Sequence, residues 1–413
     1  MTEMATDTLE TTALNKPARP AVEKTAFAIL GAISVSHLLH DMIQSLVQAS
    51  YPVLKTELSL DFSQIGLITL VFQLAASILQ PLVGLYTDHR PRPYSLVIGL
   101  GFNLVGLFFL AFAGNYWAVL IAVTFIGMGS SIFHPEASRV ARMASGGRLG
   151  LAQSLFQVGG NGGSAIGPLV AAFIVVPFGM MSIAWFGAVA FVTMIILLPV
   201  SRWYGQHGVK IITRSYRAAA GIGRDITRSE IGRTLGILLA LIFSKAFYQA
   251  AFYSYYAFYL MDRFGLTAET AQLYLFVFMA SVAAGVIVGG PIGDKIGRKA
   301  VIWVSILGAL PFALAMPHVG LMWTAILSSI IGFVMASATS AIFVYGQELL
   351  PGKVGTVAGL FSGVAFGLGG LGAAVLGVLA DHTSITFVYQ VCAFLPMIGL
   401  LAAFLPDLRR AAA

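Results

Sequence analysis

The chain has 413 residues, of which 58% are hydrophobic and only 10% charged, and its formal net charge is +7. Soluble domains carry about a quarter charged residues, so a surface this poor in charge cannot face water and most of it must face lipid. The basic residues sit in loops between apolar runs, which argues against nucleic acid as a partner.

Residues 1–26 are polar and lack an apolar core, so they are expected to be a disordered cytoplasmic tail rather than a signal peptide. A helix needs about 20 apolar residues to cross a bilayer. Runs of that character cover Phe27–Val53, Gln64–Tyr86, Tyr94–Ala113, Tyr116–Arg139, Leu149–Val176 and Met180–Trp203, giving a first six-helix bundle over 27–203. A polar, basic cytoplasmic linker is expected over 204–233. The second bundle, 234–406, contains runs near Leu235–Met261, Ala268–Ile292, Ala300–Met316, Leu321–Leu349, Val354–Ala380 and Ile385–Leu405, and 407–413 form a second cytoplasmic tail. The expected fold class is therefore all-α integral membrane, with twelve transmembrane helices in two bundles.

With the amino terminus inside, all but three of the 24 lysines and arginines fall on the cytoplasmic side, the exceptions being Lys55, Lys245 and Arg263. Basic residues concentrate in cytoplasmic loops, so both termini are expected in the cytoplasm. The single cysteine, Cys392, can form no internal disulfide and reads as inert filler.

The two bundles also repeat each other. Gly84-Leu-Tyr-Thr-Asp88 closes the second run and Gly290-Pro-Ile-Gly-Asp294 closes the eighth, a shift of 206 residues (290 − 84). Gly147-Arg-Leu-Gly150 and Gly352-Lys-Val-Gly355 open the fifth and eleventh, a shift of 205 (352 − 147). Both shifts match half the chain, which indicates a parallel six-plus-six repeat of the kind many secondary transporters use.

Polar residues inside apolar spans are costly and mark functional sites. On the first helix His37, Asp41, Gln44 and Gln48 share one face by helical spacing, as a cavity wall would require; a buried seam between helices is the alternative. Asp41 is the expected proton carrier of this face, helped by His37, because its protonation answers to burial and to a nearby cation. His40 lies off the face and reads as structural. On the seventh helix Lys245 is the only lysine deep in a span; with Gln249, Phe252 and Tyr256 it forms one face, and Tyr248, Tyr255 and Tyr259 a neighbouring one. A buried ammonium must meet an anion, either an anionic substrate bound with Tyr248, Gln249 and Tyr256 or a permanent partner such as Asp41. Gln153, Gln157, Asn161 and Ser164 make a polar stripe on the fifth helix, open to substrate contact by Gln157 or to helix packing. His134, Glu136, Arg139 and Arg142 lie toward the cytoplasmic end of the fourth helix, with Glu348 at the related place on the tenth. These groups either carry protons and touch substrate, or lock the cytoplasmic gate through carboxylate–arginine pairs.

Gly367-Leu-Gly-Gly-Leu-Gly372 fits a dinucleotide pattern in letters only, since no strand precedes it. No phosphate-binding loop with Gly-Lys-Ser/Thr occurs, so an ion gradient rather than ATP is the expected energy source. No catalytic cluster or cysteine–histidine metal set is evident, and neither metal nor cofactor is expected.

Gly289-Gly-Pro-Ile-Gly-Asp294-Lys-Ile-Gly297-Arg298-Lys299 resembles the loop motif of the major facilitator superfamily, and the first-half copy keeps Gly84 and Asp88 but ends Arg90-Pro-Arg92-Pro. The resemblance assigns Gly84, Asp88, Gly290, Asp294, Gly297 and Arg298 to gating loops. Gly163-Ser-Ala-Ile-Gly167-Pro168 resembles the antiporter motif of drug-exporting members, which points to Gly163, Gly167 and Pro168, although the fourth helix has Val123 where that group carries arginine. Ser-His37-Leu-Leu-His-Asp41-Met-Ile-Gln44, Phe133-His-Pro-Glu136-Ala-Ser-Arg139 and Gln347-Glu-Leu-Leu-Pro-Gly are similar to the bacterial fosmidomycin-resistance transporters. That similarity implies a proton antiporter of the bacterial inner membrane, acting as a monomer and expelling a small anionic drug by alternating access. An uptake symporter or facilitator for an organic anion is the alternative.

Overall fold

The computed structural model describes residues 25–89, 92–146, 148–218, 228–349 and 354–406. The described chain is helical throughout. Eleven of its helices are long and apolar enough to cross a membrane, and the shorter Ser95–Ala111 supplies a twelfth crossing. In chain order the crossings are α1 (Phe27–Ala49), α2 (Phe62–His89), α3 (Ser95–Ala111), α4 (Tyr116–Ala144), α5 (Leu149–Val170) and α6 (Phe186–Ala218). The second set is α7 (Arg228–Phe264), α8 (Ala268–Ile296), α9 (starting with Arg298–Leu307), α10 (Leu321–Leu349), α11 (Val354–His382) and α12 (starting with Ile385–Cys392).

Local chemistry fixes many of these boundaries. Asn115, Thr267 and Ser384 each turn a side-chain oxygen onto the amide three residues ahead, capping α4, α8 and α12 at 3.0, 3.2 and 3.1 Å. Gly297 sits between α8 and α9 with φ of +101°, a backbone region that penalises any side chain, so the loop motif turns sharply there. Just beyond it, Lys299 Nζ donates to the carbonyl of Ala403 at 2.9 Å and ties α9 to the last turn of the chain's final crossing. α5 continues through a π-helical turn, Ala171–Val175, directly after Pro168, whose missing amide disturbs the helical ladder.

One boundary differs from the sequence expectation. The basic stretch expected as a linker over 204–233 is helical at both ends, because α6 runs on to Ala218 and α7 already starts at Arg228. A helix that leaves the bilayer can keep its hydrogen-bond ladder in water, so polarity alone does not end it.

Three buried apolar clusters define how the halves meet. The largest takes residues from both halves, including Ile43, Ile68 and Val123 of the first and Tyr255, Leu275 and Leu376 of the second. The other two are confined to one half each: Leu30, Leu96, Phe133 and Val140 in the first, Leu238, Ile302, Ile342 and Phe361 in the second. Hydrogen bonds between halves cluster at the end remote from the chain termini. Asp381 accepts from the Phe62 and Ser63 amides at 2.9 and 2.7 Å, and Gln272 Nε2 donates to the Ala49 carbonyl at 2.7 Å. The halves are joined at that end and hold separate cores at the other. Large apolar side chains such as Ile78, Trp117, Phe191 and Phe404 point outward; in a multi-pass membrane protein this surface faces lipid.

Candidate proton and substrate site

Close approach of α5 to α1 builds the first part of the site. A side chain at Gly163 would strike the Leu38 carbonyl, and a Cβ at Gly160 would lie 2.6 Å from His37 Nε2 and 2.9 Å from Asp41 Oδ2. Glycine at these places lets the helices touch backbone to backbone. Gly167 packs on Ser45 in the same way, and Ser45 Oγ donates to the Ser164 carbonyl at 2.6 Å. The antiporter-like segment is thus the surface on which α1 rests, with Pro168 buried behind it.

This contact brings the Phe156 carbonyl to His37 Nδ1 at 2.8 Å, while the Phe156 ring stacks on the imidazole at 3.9 Å between centroids. His37 Nε2 then faces Asp41 Oδ2 at 3.3 Å. His40 stacks on Phe133 of α4 at 4.2 Å and its Nδ1 lies 2.9 Å from Asp41 Oδ1. From α4, His134 Nε2 approaches the same oxygen at 3.4 Å. One carboxylate is therefore ringed by three imidazoles, two from its own helix and one from α4.

His40 belongs to this ring and is not a bystander off the polar face, as its position on the helical wheel suggests. Adjacent side chains can meet when one ring turns back along the helix axis, which the wheel does not represent. Gln44 joins the ring at its edge, with Nε2 3.5 Å from His40 Nε2. The facing atoms of His37, Asp41 and His134 all lie within 4.8 Å of one another, close enough for a cation to bridge. The His40 contact, at 2.9 Å, has the length of an ordinary hydrogen bond, those of His37 and His134 are slightly longer at 3.3 and 3.4 Å, and Asp41 Oδ1 is already engaged by His40.

A cavity lies between the halves, lined from α1 and α2 by Gln48, Thr69 and Gln73 and from α7 and α10 by Lys245, Gln249, Tyr253 and Thr339. Its empty space, mouth and open solvent included, is about 750 Å³. Among the described residues that line it, Lys245 is the one charged group and none is a carboxylate; Lys245 Nζ donates to the Thr339 hydroxyl. Among the described residues Lys245 forms no ion pair, so the permanent partnership with Asp41 open from the sequence is not made. Phe366 of α11 lines the cavity and also approaches the His134 ring, at 6.3 Å between centroids.

Several residues expected at the substrate lie elsewhere. Tyr248 and Tyr256 are buried with Phe252 and Tyr389, and Tyr256 donates to Ser328 Oγ at 2.9 Å. Tyr256 shares the face of Lys245 but sits one turn beyond Tyr253, where the halves have already closed; the Tyr248 ring lies against Phe252 of its own helix, 5.4 Å between centroids. Tyr253, missed in the sequence, follows Lys245 and Gln249 at steps of four, and that spacing was the available signal. Arg139 Nη1 donates to Glu136 Oε1 at 2.6 Å, and Glu136, fully buried, also accepts from Ser95 Oγ at 3.1 Å. These two residues clamp α3 to α4 and do not reach the cavity. Gln157 is half-buried, and its carbonyl accepts from Asn161 Nδ2 at 2.9 Å. The side chains of Gly84, Asp88, Gly290, Asp294 and Glu348 lie outside the described residues; Arg298 opens α9.

Comparison with known proteins agrees with this architecture. The chain is 59% identical over 387 residues, 94% of each chain, to the fosmidomycin resistance protein of Escherichia coli (strain K12). It is 41% identical over 383 residues, 93% of this chain and 94% of the other, to an uncharacterized transporter of the major facilitator type from Bacillus subtilis (strain 168). The crystal structure of a bacterial homologue of the human lysosomal transporter Spinster, in an inward-facing and occupied conformation, superposes with a TM-score of 0.70 at 16% identity, covering 94% of this chain and 93% of that one. The profile of the Major Facilitator Superfamily matches residues 33–374, and the chain, a transporter rather than an enzyme, belongs to that family.

Proposed function

We propose that this protein is a proton-coupled efflux antiporter of the bacterial inner membrane, both termini cytoplasmic, that exports a small anionic, fosmidomycin-like phosphonate. The observation that carries this reading is the separation of two charge sites across the halves. The first half holds a carboxylate ringed by imidazoles, a proton store; the second holds Lys245, a buried ammonium whose one partner among the described residues is a hydroxyl, facing a cavity. A buried cation left in this state is costly, and an anionic substrate removes that cost. The 59% identity to a fosmidomycin resistance protein over 94% of the chain favours export of such a compound. With the termini inside, the joined end is the outer one, and the cavity belongs to a state that loads from the cytoplasm.

Proteoliposomes with an imposed pH gradient and labelled fosmidomycin test the proposal. Drug movement against its own gradient, opposite to the proton flow and collapsed by a protonophore, is the expected result. Movement in the same direction as the protons would make the protein an uptake symporter and overturn export.

A further inference from the structure

The three imidazoles around Asp41 are not equivalent. Among the described residues His37 Nδ1 has one hydrogen-bond partner, the Phe156 carbonyl at 2.8 Å. A carbonyl only accepts, so Nδ1 carries hydrogen and Nε2 points a second nitrogen at Asp41 Oδ2. A neutral imidazole has one N–H, so one further proton must lie between Nε2 and the carboxylate, whichever atom owns it. Removing that proton would leave two acceptors facing each other in a site where only 4% of the His37 side chain is exposed. His40 is satisfied when neutral: Nδ1–H donates to Asp41 Oδ1, and Nε2 accepts at long range from the Gln44 amide. It is completely buried.

His134 differs at every point. Its Nδ1 lies 3.1 Å from the Ser130 hydroxyl and 3.1 Å from the Ser130 carbonyl, one a possible donor and the other an acceptor. When His134 is neutral, Nε2–H donates to Asp41 and the Ser130 hydroxyl donates to Nδ1. When a proton from water adds to Nδ1, the hydroxyl hydrogen rotates away and the new N–H donates to the Ser130 carbonyl. No other bond forms or breaks, and both states leave both ring nitrogens satisfied. A hydroxyl rotor is free to serve either one. His134 is also the accessible member, with 24% of its side chain exposed. It is the member that meets the opposite half, through Phe366 of the cavity wall. The titratable groups facing it are His37, His40 and Asp41, all of α1; α11 presents only the Phe366 ring among the described residues.

From this geometry we infer that the exchangeable proton of the transport cycle resides on His134, that Ser130 is the rotor that accommodates it, and that the His37–Asp41 pair retains its own proton and stays neutral as a pair. The inference rests on the proton-coupled reading but makes a claim about the resting protein that needs no drug.

The test is 15N NMR of the full-length protein with labelled histidine, in detergent or nanodiscs with chelator present, titrated between pH 5 and 9. A His134→Asn variant identifies the resonance. The expected result is a single titrating member of the ring, His134, which passes from an Nε2–H neutral ring to a doubly protonated one while the His37 signals stay constant. Ser130→Ala removes the donor that supports neutral His134. It should raise the His134 midpoint by roughly one pH unit, the scale of one hydrogen bond, and Ser130→Thr should restore it. Titration of His37 instead, an Nδ1–H neutral His134, or a midpoint indifferent to Ser130→Ala would overturn the inference. Failure of the flux assay above with this titration intact would reject proton-coupled export and leave the assignment of the proton standing.

Discussion

Asp381, at the end of α11, accepts from the Ser63 amide at 2.7 Å, so a carboxylate of one half caps the first turn of a helix in the other. The Phe62 amide and the Ser63 hydroxyl converge on the same side chain. Free amides at a helix start attract negative charge, and hydrogen bonds to a charged group contribute about 1.5–3 kcal/mol each. Asp381→Ala should therefore shift the resting population toward opening at this end by about tenfold or more. Spin labels at Thr56→Cys and Thr383→Cys read the distance across the seam, since the native Cys392 is buried. An unchanged distance distribution would show that the apolar contacts alone hold the end shut.

Lys245→Gln should weaken fosmidomycin binding more than about tenfold, equivalent to 1.4 kcal/mol, with little effect on any neutral compound that binds. Because Lys245 and Asp41 form no ion pair, the effects of Lys245→Gln and Asp41→Asn on binding should add within about 0.5 kcal/mol. A binding series on purified protein with both single variants and the double variant checks this. Strong non-additivity would place the two charges in direct exchange.

Asp41→Asn should abolish drug-driven proton release while the protein folds and inserts normally. The amide keeps the shape of the side chain but cannot hold the charge that His37 and His134 require. Proton release of parental size on drug addition would remove Asp41 from the coupling machinery.

Glu136→Gln should behave differently. It breaks a buried ion pair with Arg139 and leaves an uncompensated charge, a loss of about 3–5 kcal/mol. The expected signature is a lower thermal stability in detergent with drug affinity preserved in the folded fraction. Normal stability with lost coupling would make Glu136 a proton carrier instead of a clamp.

Gly163→Ala should lower stability and transport together, because its methyl group meets the Leu38 backbone and α5 must move off α1. Gly363→Ala is the control, since the space around that glycine is open. Equal thermal unfolding temperatures for the two variants would show that α1 and α5 have room to separate.

The twelve crossings and the pairing of halves were legible because apolar length and the repeated Gly–Asp loops are written along the chain. His37, Asp41 and Lys245 stood out because polar groups in apolar spans are few. The grouping of those residues was not legible, since it depends on which helices touch. His134 joins Asp41 only because α4 lies beside α1, and Phe156 contributes a carbonyl, which no side-chain pattern reports. The end of the cavity between Tyr253 and Tyr256 is set by where the two halves close, a property of the assembled bundle rather than of α7.

On the proposed mechanism the proton-handling side chains all come from α1 and α4, whereas the ammonium and the glutamine and tyrosine that follow it on α7 belong to the other repeat. On the proposed mechanism, selection acting on drug range has a place to work that leaves the engine alone. Substitutions at Gln249 and Tyr253 can broaden or redirect resistance without retuning energy supply, so new specificities should arise first in the carboxyl-terminal repeat.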